Sequence, residues 1–171
     1  ANEQHLYCGS TDLPLSRAGR EALANRPPID VGTAHFITSG MRRCNETLAI
    51  LFGDVPYEVV RDFREIDFGA FEMKSYEMLK DEPAYQTWLS RDPEINPPPG
   101  GESGEQMTRR VLAAYMALES RKENTVIVTH GGVIAAIMAS LFPEEGKNRY
   151  QWQPKPGEGY AVTDGTYSAI P

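Results

Sequence analysis

The run Val126-Ile127-Val128-Thr129-His130-Gly131-Gly132 constrains the fold more than any other stretch of the chain. A short apolar, β-branched segment ends at a histidine, two glycines follow, and a mostly apolar stretch runs from Val133 to Phe142. The pattern predicts a buried strand, a tight turn and a helix. It sets one imidazole at the carboxyl end of a strand, beside the N–H groups that open a helix. Ligands of open α/β sheets bind at the carboxyl ends of strands. A helix N-terminus favours anions. The segment therefore proposes an anion site, with phosphate as the anion and His130 in it. A satisfied core histidine beside an ordinary glycine-bearing turn explains the tetrapeptide equally well on its own.

The rest of the chain alternates in the same way. Ser16 is placed to cap a helix running towards Asn25, which Pro27-Pro28 stops. Ala34–Thr38 reads as a short buried strand, and Met41–Phe52 as a helix closed by Gly53. Tyr57–Val60 is a second strand, and Ser75–Lys80 and Ala84–Leu89 are two short helices separated by Pro83. Ser103-Gly104-Glu105-Gln106 predicts a capping box before a long helix reaching about Ser120. Tyr160–Thr163 and Thr166–Ala169 can pair as a hairpin across Asp164-Gly165. Helices interleaved with short apolar strands imply one α/β domain over 1–171, three-layered, with a mostly parallel central sheet flanked by helices.

Composition narrows the partners. The formal net charge of −7 argues against a general nucleic-acid or acidic-membrane binder, which needs a basic face. A phosphate pocket remains open to an acidic protein, because local arginines can outweigh its surface. No run reaches transmembrane length, and the first residues carry no secretory apolar core, so no membrane partner is expected. Cys8 and Cys44 are too few for a disulfide framework and lack metal-ligand spacing, which fits reduced thiols in a cytoplasm.

Further constellations carry chemistry. Arg42 and Arg43 follow Ser39-Gly40 at a strand-to-helix junction, where a guanidinium can fork onto a phosphate. A surface ion pair explains either arginine alone. Arg64-Glu65-Ile66-Asp67-Phe68-Gly69-Ala70-Phe71-Glu72 sets three carboxylates among apolar residues, where a carboxyl can act as an acid near neutrality. Solvated charge on a half-buried strand is the plainer reading of that segment. Asn2 to Ser16 is a long polar opening loop, and loops of that length are functional or disordered. Tyr7, Leu13 and Pro14 within it argue for order.

Together these segments resemble the histidine phosphatase superfamily, also called phosphoglycerate-mutase-like. Gly9 to Ser16, with Gly19, is similar to the family's segment after its catalytic loop. Ser39 to Thr47 is similar to its Ser-Pro-Leu-x-Arg-Ala-x-x-Thr segment, with Gly40 in place of proline. Glu65 to Glu72 is similar to its Glu-x-x-x-Gly-x-x-Glu segment. Gly100-Gly101-Glu102-Ser103 with Arg110 matches its helix-leading motif, and Thr129 to Gly132 its second histidine motif. Five matches in order make chance resemblance improbable.

The family's Arg-His-Gly motif, carried on a first strand, does not occur in the 171 residues. The resemblance aligns Asn2 just after it, so the chain is expected to lack that strand and the start of the catalytic loop, and to be inactive as it stands. His5 lies in the loop downstream of Asn2 and is no substitute, and His35, inside a strand, is expected to be structural.

The resemblance implies metal-independent phosphomonoester hydrolysis through a phosphohistidine, with no cofactor and a small-molecule phosphate monoester as partner. It implies that Arg43 and His130 bind the equatorial oxygens and that Glu65, protonated at rest, donates to the leaving alcohol oxygen. Asn2, Gly9, Ser10 and the N–H groups near Gly131 would complete the phosphate and substrate contacts. Between Glu65 and Pro97 the only cations after the motif are Lys74, Lys80 and Arg91, which favours a phosphatase over a bisphosphate-handling mutase. The Tyr7-to-Asp12 start, the Glu65–Glu72 segment and the compact length look most like alpha-ribazole phosphatase-type members. A broad-specificity sugar-phosphate or phosphoglycerate phosphatase is the alternative. A non-catalytic phosphate-ester-binding module is the alternative of another class. An unrelated nucleotide-binding α/β domain gains no support, because the chain has neither Gly-x-Gly-x-x-Gly nor a P-loop lysine.

Overall fold

The register of a three-stranded parallel sheet decides where the chemistry can sit. The computed structural model describes residues 4–171, so Asn2 lies outside the described residues. Strand β1 (His35–Thr38) pairs with β2 (Tyr57–Val59) on one side and β3 (Thr125–Val128) on the other. Thr38 aligns with Val128, so β1 and β3 end level and release Ser39 and His130 from the same rim. Side chains alternate across a strand. Phe36 meets Phe52 at 5.2 Å between ring centroids on one face, while Ile37 enters the core on the other.

Helices flank the sheet as expected for α/β. On the first face lie α1 (Arg17–Ala24) and α2 (Arg42–Phe52), packed on each other. Ser16 accepts a hydrogen bond from the Gly19 N–H at 3.0 Å, which caps α1. Gly40 turns the chain from β1 into α2 at φ +78°, and a Cβ there would sit 2.6 Å from Val59 Cγ1. Proline cannot adopt that angle. The departure from the family's Ser-Pro segment is therefore built into this turn.

Two short helices follow, α3 (Tyr76–Leu79) and α4 (Pro83–Ser90), joined to the opening loop by an aromatic cluster. Tyr7 and Tyr85 share a hydroxyl hydrogen bond at 2.6 Å, and Phe71 and Trp88 pack around them. Opposite the α1–α2 layer lie α5 (Gly104–Glu119) and α6 (Gly131–Leu141). Both halves of the Ser103/Gln106 capping box form at the start of α5. Ile37, Phe63, Met107, Val111 and Val133 fill the core between sheet and helices with 0% exposure. Each buried side chain of this kind contributes about 1.5–3 kcal/mol.

One sequence expectation shifts. Gly131 and Gly132 do not form a turn ahead of α6 but are its first two residues, and His130 is the N-cap in extended conformation. The turn is the Thr129-His130 step itself. After α7 (Arg149–Trp152), strands β4 (Gly159–Thr163) and β5 (Thr166–Ile170) form a separate hairpin across Asp164-Gly165, both at positive φ. Tyr160 and Tyr167 pack it onto Trp152. Among the described residues, no strand pairs with the outer edge of β3.

Candidate active site

Three sequence-separated segments converge at the carboxyl ends of β1 and β3. His130 leaves β3 only 7% exposed. Its Nδ1 accepts from Arg43 Nε at 3.2 Å, and its Nε2 faces Ser39 Oγ at 3.0 Å. An arginine N–H can only donate, so the ring proton resides on Nε2. Burial, reinforced by the positive charge of Arg43, Arg110 and Arg64, pushes the imidazole down to about 3. His130 is therefore neutral at physiological pH. Cys44 Sγ lies 3.5 Å from Nε2, and burial raises its thiol to about 11, so it is an inert neighbour.

Arg43 belongs to the first turn of α2, placed there by the Gly40 turn. It also donates from Nη1 to the Thr11 carbonyl at 2.9 Å and from Nη2 to the Gly9 carbonyl at 2.8 Å. One guanidinium thus ties the opening loop to His130.

Glu65 approaches from the other side. Its Oε2 accepts from the Gly132 N–H at 3.0 Å, and its Oε1 from its neighbour Ile66 N at 2.9 Å. The carboxyl rests on the N-terminus of α6, next to His130. Arg110 holds this segment in place. It donates to the carbonyls of Asp62 and Arg64 at 2.7 Å and of Glu65 at 3.1 Å, and it pairs with Glu102. Glu102 in turn accepts from Asp67 N at 3.2 Å.

The three carboxylates of the 65–72 segment separate into distinct roles. Only Glu65 borders the cavity. Asp67 accepts from Ser10 Oγ at 2.9 Å and Gly69 N at 2.8 Å. Glu72 gathers the N–H groups of Gly9, Ser10, Thr11 and Phe68 and the Thr11 hydroxyl. Burial opposes its charge, but these hydrogen bonds prevail and hold the carboxyl below its ordinary value. Gly9 and Ser10, expected to touch phosphate, thus spend their N–H groups on Glu72 in this structure. Gly9 also packs so closely that a Cβ would overlap the Ile66 carbonyl. Gly131 borders the cavity, and its N–H has no partner among the described residues. His35 lies at the opposite end of β1, paired with Glu58 at 3.2 Å, and His5 is exposed at φ +52°.

Arg43, Glu65, His130 and Gly131 border one cavity of about 620 Å³. Ser39 and the wall from Gln153 to Glu158 were not legible in the sequence as site residues. Ser39 opens the segment matched to the family's Ser-Pro-Leu-x-Arg pattern but carried no role of its own there, and the 153–158 loop arrives only through tertiary packing. Among the described residues, no group of three or more His, Cys, Asp or Glu is placed to hold a metal.

These features define an α/β protein with a histidine–arginine pocket at the carboxyl rim of its sheet. The profile of the Histidine phosphatase superfamily (branch 1) matches residues 1–162, and the chain belongs to that family. It is 27% identical over 180 residues to the Adenosylcobalamin/alpha-ribazole phosphatase of Escherichia coli K12, covering 99% of this chain and 83% of that protein. It is 30% identical to Phosphoglycerate mutase-like protein 4 of Arabidopsis thaliana, covering 85% and 68%. The alpha-ribazole phosphatase of Shigella flexneri shares the fold with a TM-score of 0.82 at 24% identity, covering 98% of this chain and 87% of that one. TTHB049 of Thermus thermophilus gives 0.71 at 31% identity, covering 95% and 86%.

Proposed function

We propose that this domain serves a metal-independent phosphomonoester hydrolase that works through a phosphohistidine in the cytoplasm. The observation that carries the reading is the convergence of Arg43, His130 and Glu65 around one cavity at the ends of β1 and β3. Neutral His130 donates its Nε2–H, and Arg43 its fork, to the equatorial phosphoryl oxygens, whose charge must be held in the transition state. Binding requires Arg43 to exchange its carbonyl partners, and the His130 Nε2–H its Ser39 hydroxyl partner, for phosphate. A nucleophilic histidine attacks phosphorus in line, the P–O ester bond breaks, and Glu65 gives its proton to the leaving alkoxide. Water then attacks the phosphohistidine, Glu65 takes the water's proton, and inorganic phosphate leaves.

In this reading the nucleophile sits on a further strand joined to the free edge of β3, because no Arg-His-Gly occurs in residues 1–171. The same fact favours the second reading, a phosphate-ester-binding module without turnover. The alpha-ribazole phosphatase names of the relatives from Escherichia coli and Salmonella typhimurium support alpha-ribazole phosphate as the substrate, ahead of sugar phosphates or phosphoglycerate. The test is hydrolysis in excess chelator by the chain carrying an N-terminal Arg-His-Gly strand, with trapping of an acid-labile phosphoenzyme. Hydrolysis with that intermediate supports the enzyme. Binding without turnover supports the module.

A further inference from the structure

The cavity is much larger than a phosphate. Its volume of about 620 Å³ lies within the range of pockets that enclose drug-sized molecules. Its lining includes an apolar set, Leu13 and Leu15 ahead of α1, Leu23 on α1, Ile134 on α6, and Pro154 and Pro156, with Ser16, Thr47, Gln153 and Glu158 as polar members. Two cations also border it, Arg26 and Lys155. Both come from segments that carried no functional expectation in the sequence.

Arg26 follows the C-terminal end of α1 and reaches across to the 153–158 loop. A Cβ on Gly157 would lie 2.6 Å from Arg26 Nη1 and 3.0 Å from Leu23 Cδ2, so the missing side chain makes room for the guanidinium. Arg26 is half-buried, yet its side chain has no hydrogen bond or ion pair among the described residues. The chain holds 24 acidic residues against 17 basic ones, so counter-charges are not scarce. Glu158, which also borders the cavity, accepts from the Lys155 backbone N–H at 3.3 Å and makes no ion pair with Arg26. Each guanidinium nitrogen of Arg43 makes one hydrogen bond, to His130, Thr11 and Gly9, whereas no guanidinium nitrogen of Arg26, which also borders the cavity, makes one among the described residues.

We infer that Arg26, assisted by Lys155, is a specificity residue that binds a second anionic group at the far end of the leaving alcohol, past an apolar body held by Leu13, Leu15, Leu23 and Ile134. The ligand class is a phosphate monoester whose alcohol carries a ring or chain ending in a carboxylate or another anion. This deepens the phosphomonoester reading and rests on it, and it adds a second substrate class beside alpha-ribazole phosphate, whose neutral leaving alcohol offers Arg26 no anion. A planar guanidinium suits a carboxylate, because two parallel N–H groups meet two oxygens.

The test compares two ligands that cannot be hydrolysed, benzylphosphonate and 4-carboxybenzylphosphonate, by calorimetry on the full chain. The protein is acidic overall, so an added carboxylate is repelled unless a local cation receives it. The carboxylated ligand should bind about tenfold tighter, the size of one charge-assisted contact. Arg26→Gln should bring the ratio of the two affinities close to one, Arg26→Lys should leave it between, and Lys155→Gln should lower it in part. Thermal melting confirms that each variant is folded. Equal affinities in the parent chain, or a ratio that survives Arg26→Gln, would overturn the inference while leaving the phosphate site intact. Inorganic phosphate should displace both ligands. If it displaces neither, the phosphomonoester reading fails and this one fails with it.

Discussion

Arg43 donates its Nε–H to His130 Nδ1 at 3.2 Å, and this contact fixes the state of the histidine. A donor on Nδ1 leaves the ring proton on Nε2, and a buried ring beside a guanidinium resists a second proton. His130 is thus held as a neutral donor for an anion arriving at the rim of the sheet.

In the unfolded chain the imidazole takes a proton near 6.5, but in the folded chain only near about 3. Between those values the unfolded state binds more protons, so stability falls as pH falls. Glu72, held below its ordinary carboxylate value, adds acid lability in the same direction. Denaturant midpoints should drop steadily from about pH 6.5 downward, and His130→Gln should flatten the upper part of that slope. Nitrogen-correlated NMR should show an Nε2–H tautomer that does not titrate between about pH 5 and 8. A His130 resonance moving with an ordinary midpoint would remove the argument.

Glu65→Gln tests the acid. A glutamine keeps an acceptor for the Gly132 N–H but has no proton to exchange. In a chain with the nucleophile strand, alkyl phosphates should slow by about a hundredfold or more, and an aryl phosphate with a good leaving group far less. Equal losses on both substrates would make Glu65 a structural residue.

Arg110 acts on Glu65 through the backbone. It grips the carbonyls of Asp62, Arg64 and Glu65 and pairs with Glu102, a pattern lysine cannot reproduce. In the chain with the nucleophile strand, Arg110→Lys should lower kcat by roughly ten- to a hundredfold with little change in KM, because a misplacement of about 1 Å costs on that order. The loss should again be larger for alkyl than aryl phosphates. A uniform loss matched by a lower melting temperature would mean that Arg110 serves folding alone.

Glu72→Ala should free the opening loop. It removes the acceptor shared by Gly9, Ser10, Thr11 and Phe68 and leaves their donors to water or to nothing. The expected cost is about 2 kcal/mol in unfolding free energy. Hydrogen exchange should accelerate at residues 9–11 while α5 and α6 stay protected. Uniform acceleration across the chain would instead point to a global loss.

How much of this was legible depends on the range of the interactions. Ser16, Ser103/Gln106, Gly53 and Asp164-Gly165 are local signals acting within a few residues, and each marks an element boundary in the structure. The meeting of Ser39 with His130 depends on β1 and β3 pairing in register across 91 positions, which no local pattern encodes. The roles within the 65–72 segment were hidden for the same reason. Glu65, Asp67 and Glu72 are three similar carboxylates in sequence, and their partners at Gly132, Ser10 and Gly9 come from elsewhere in the chain. The Arg26–Gly157 approach spans the chain and leaves no trace in either segment.

A strand in the middle of a sheet has both edges paired, yet β3 pairs only with β1 among the described residues, and none of its four residues is fully buried. The β4–β5 hairpin forms a sheet of its own. Unpaired backbone groups of an apolar strand favour an added strand. In the proposed reading, that strand carries Arg-His-Gly and delivers the nucleophile to the rim where Arg43 and His130 wait. A chain extended at its N-terminus by such a strand should melt higher than Ala1–Pro171, protect the β3 amides from exchange and hydrolyse phosphate monoesters. Ala1–Pro171 should bind phosphate weakly and show no turnover, because a phosphohistidine cannot form without its histidine. Metal-independent turnover by Ala1–Pro171 that disappears with His5→Ala would move the nucleophile to the opening loop and overturn the strand assignment.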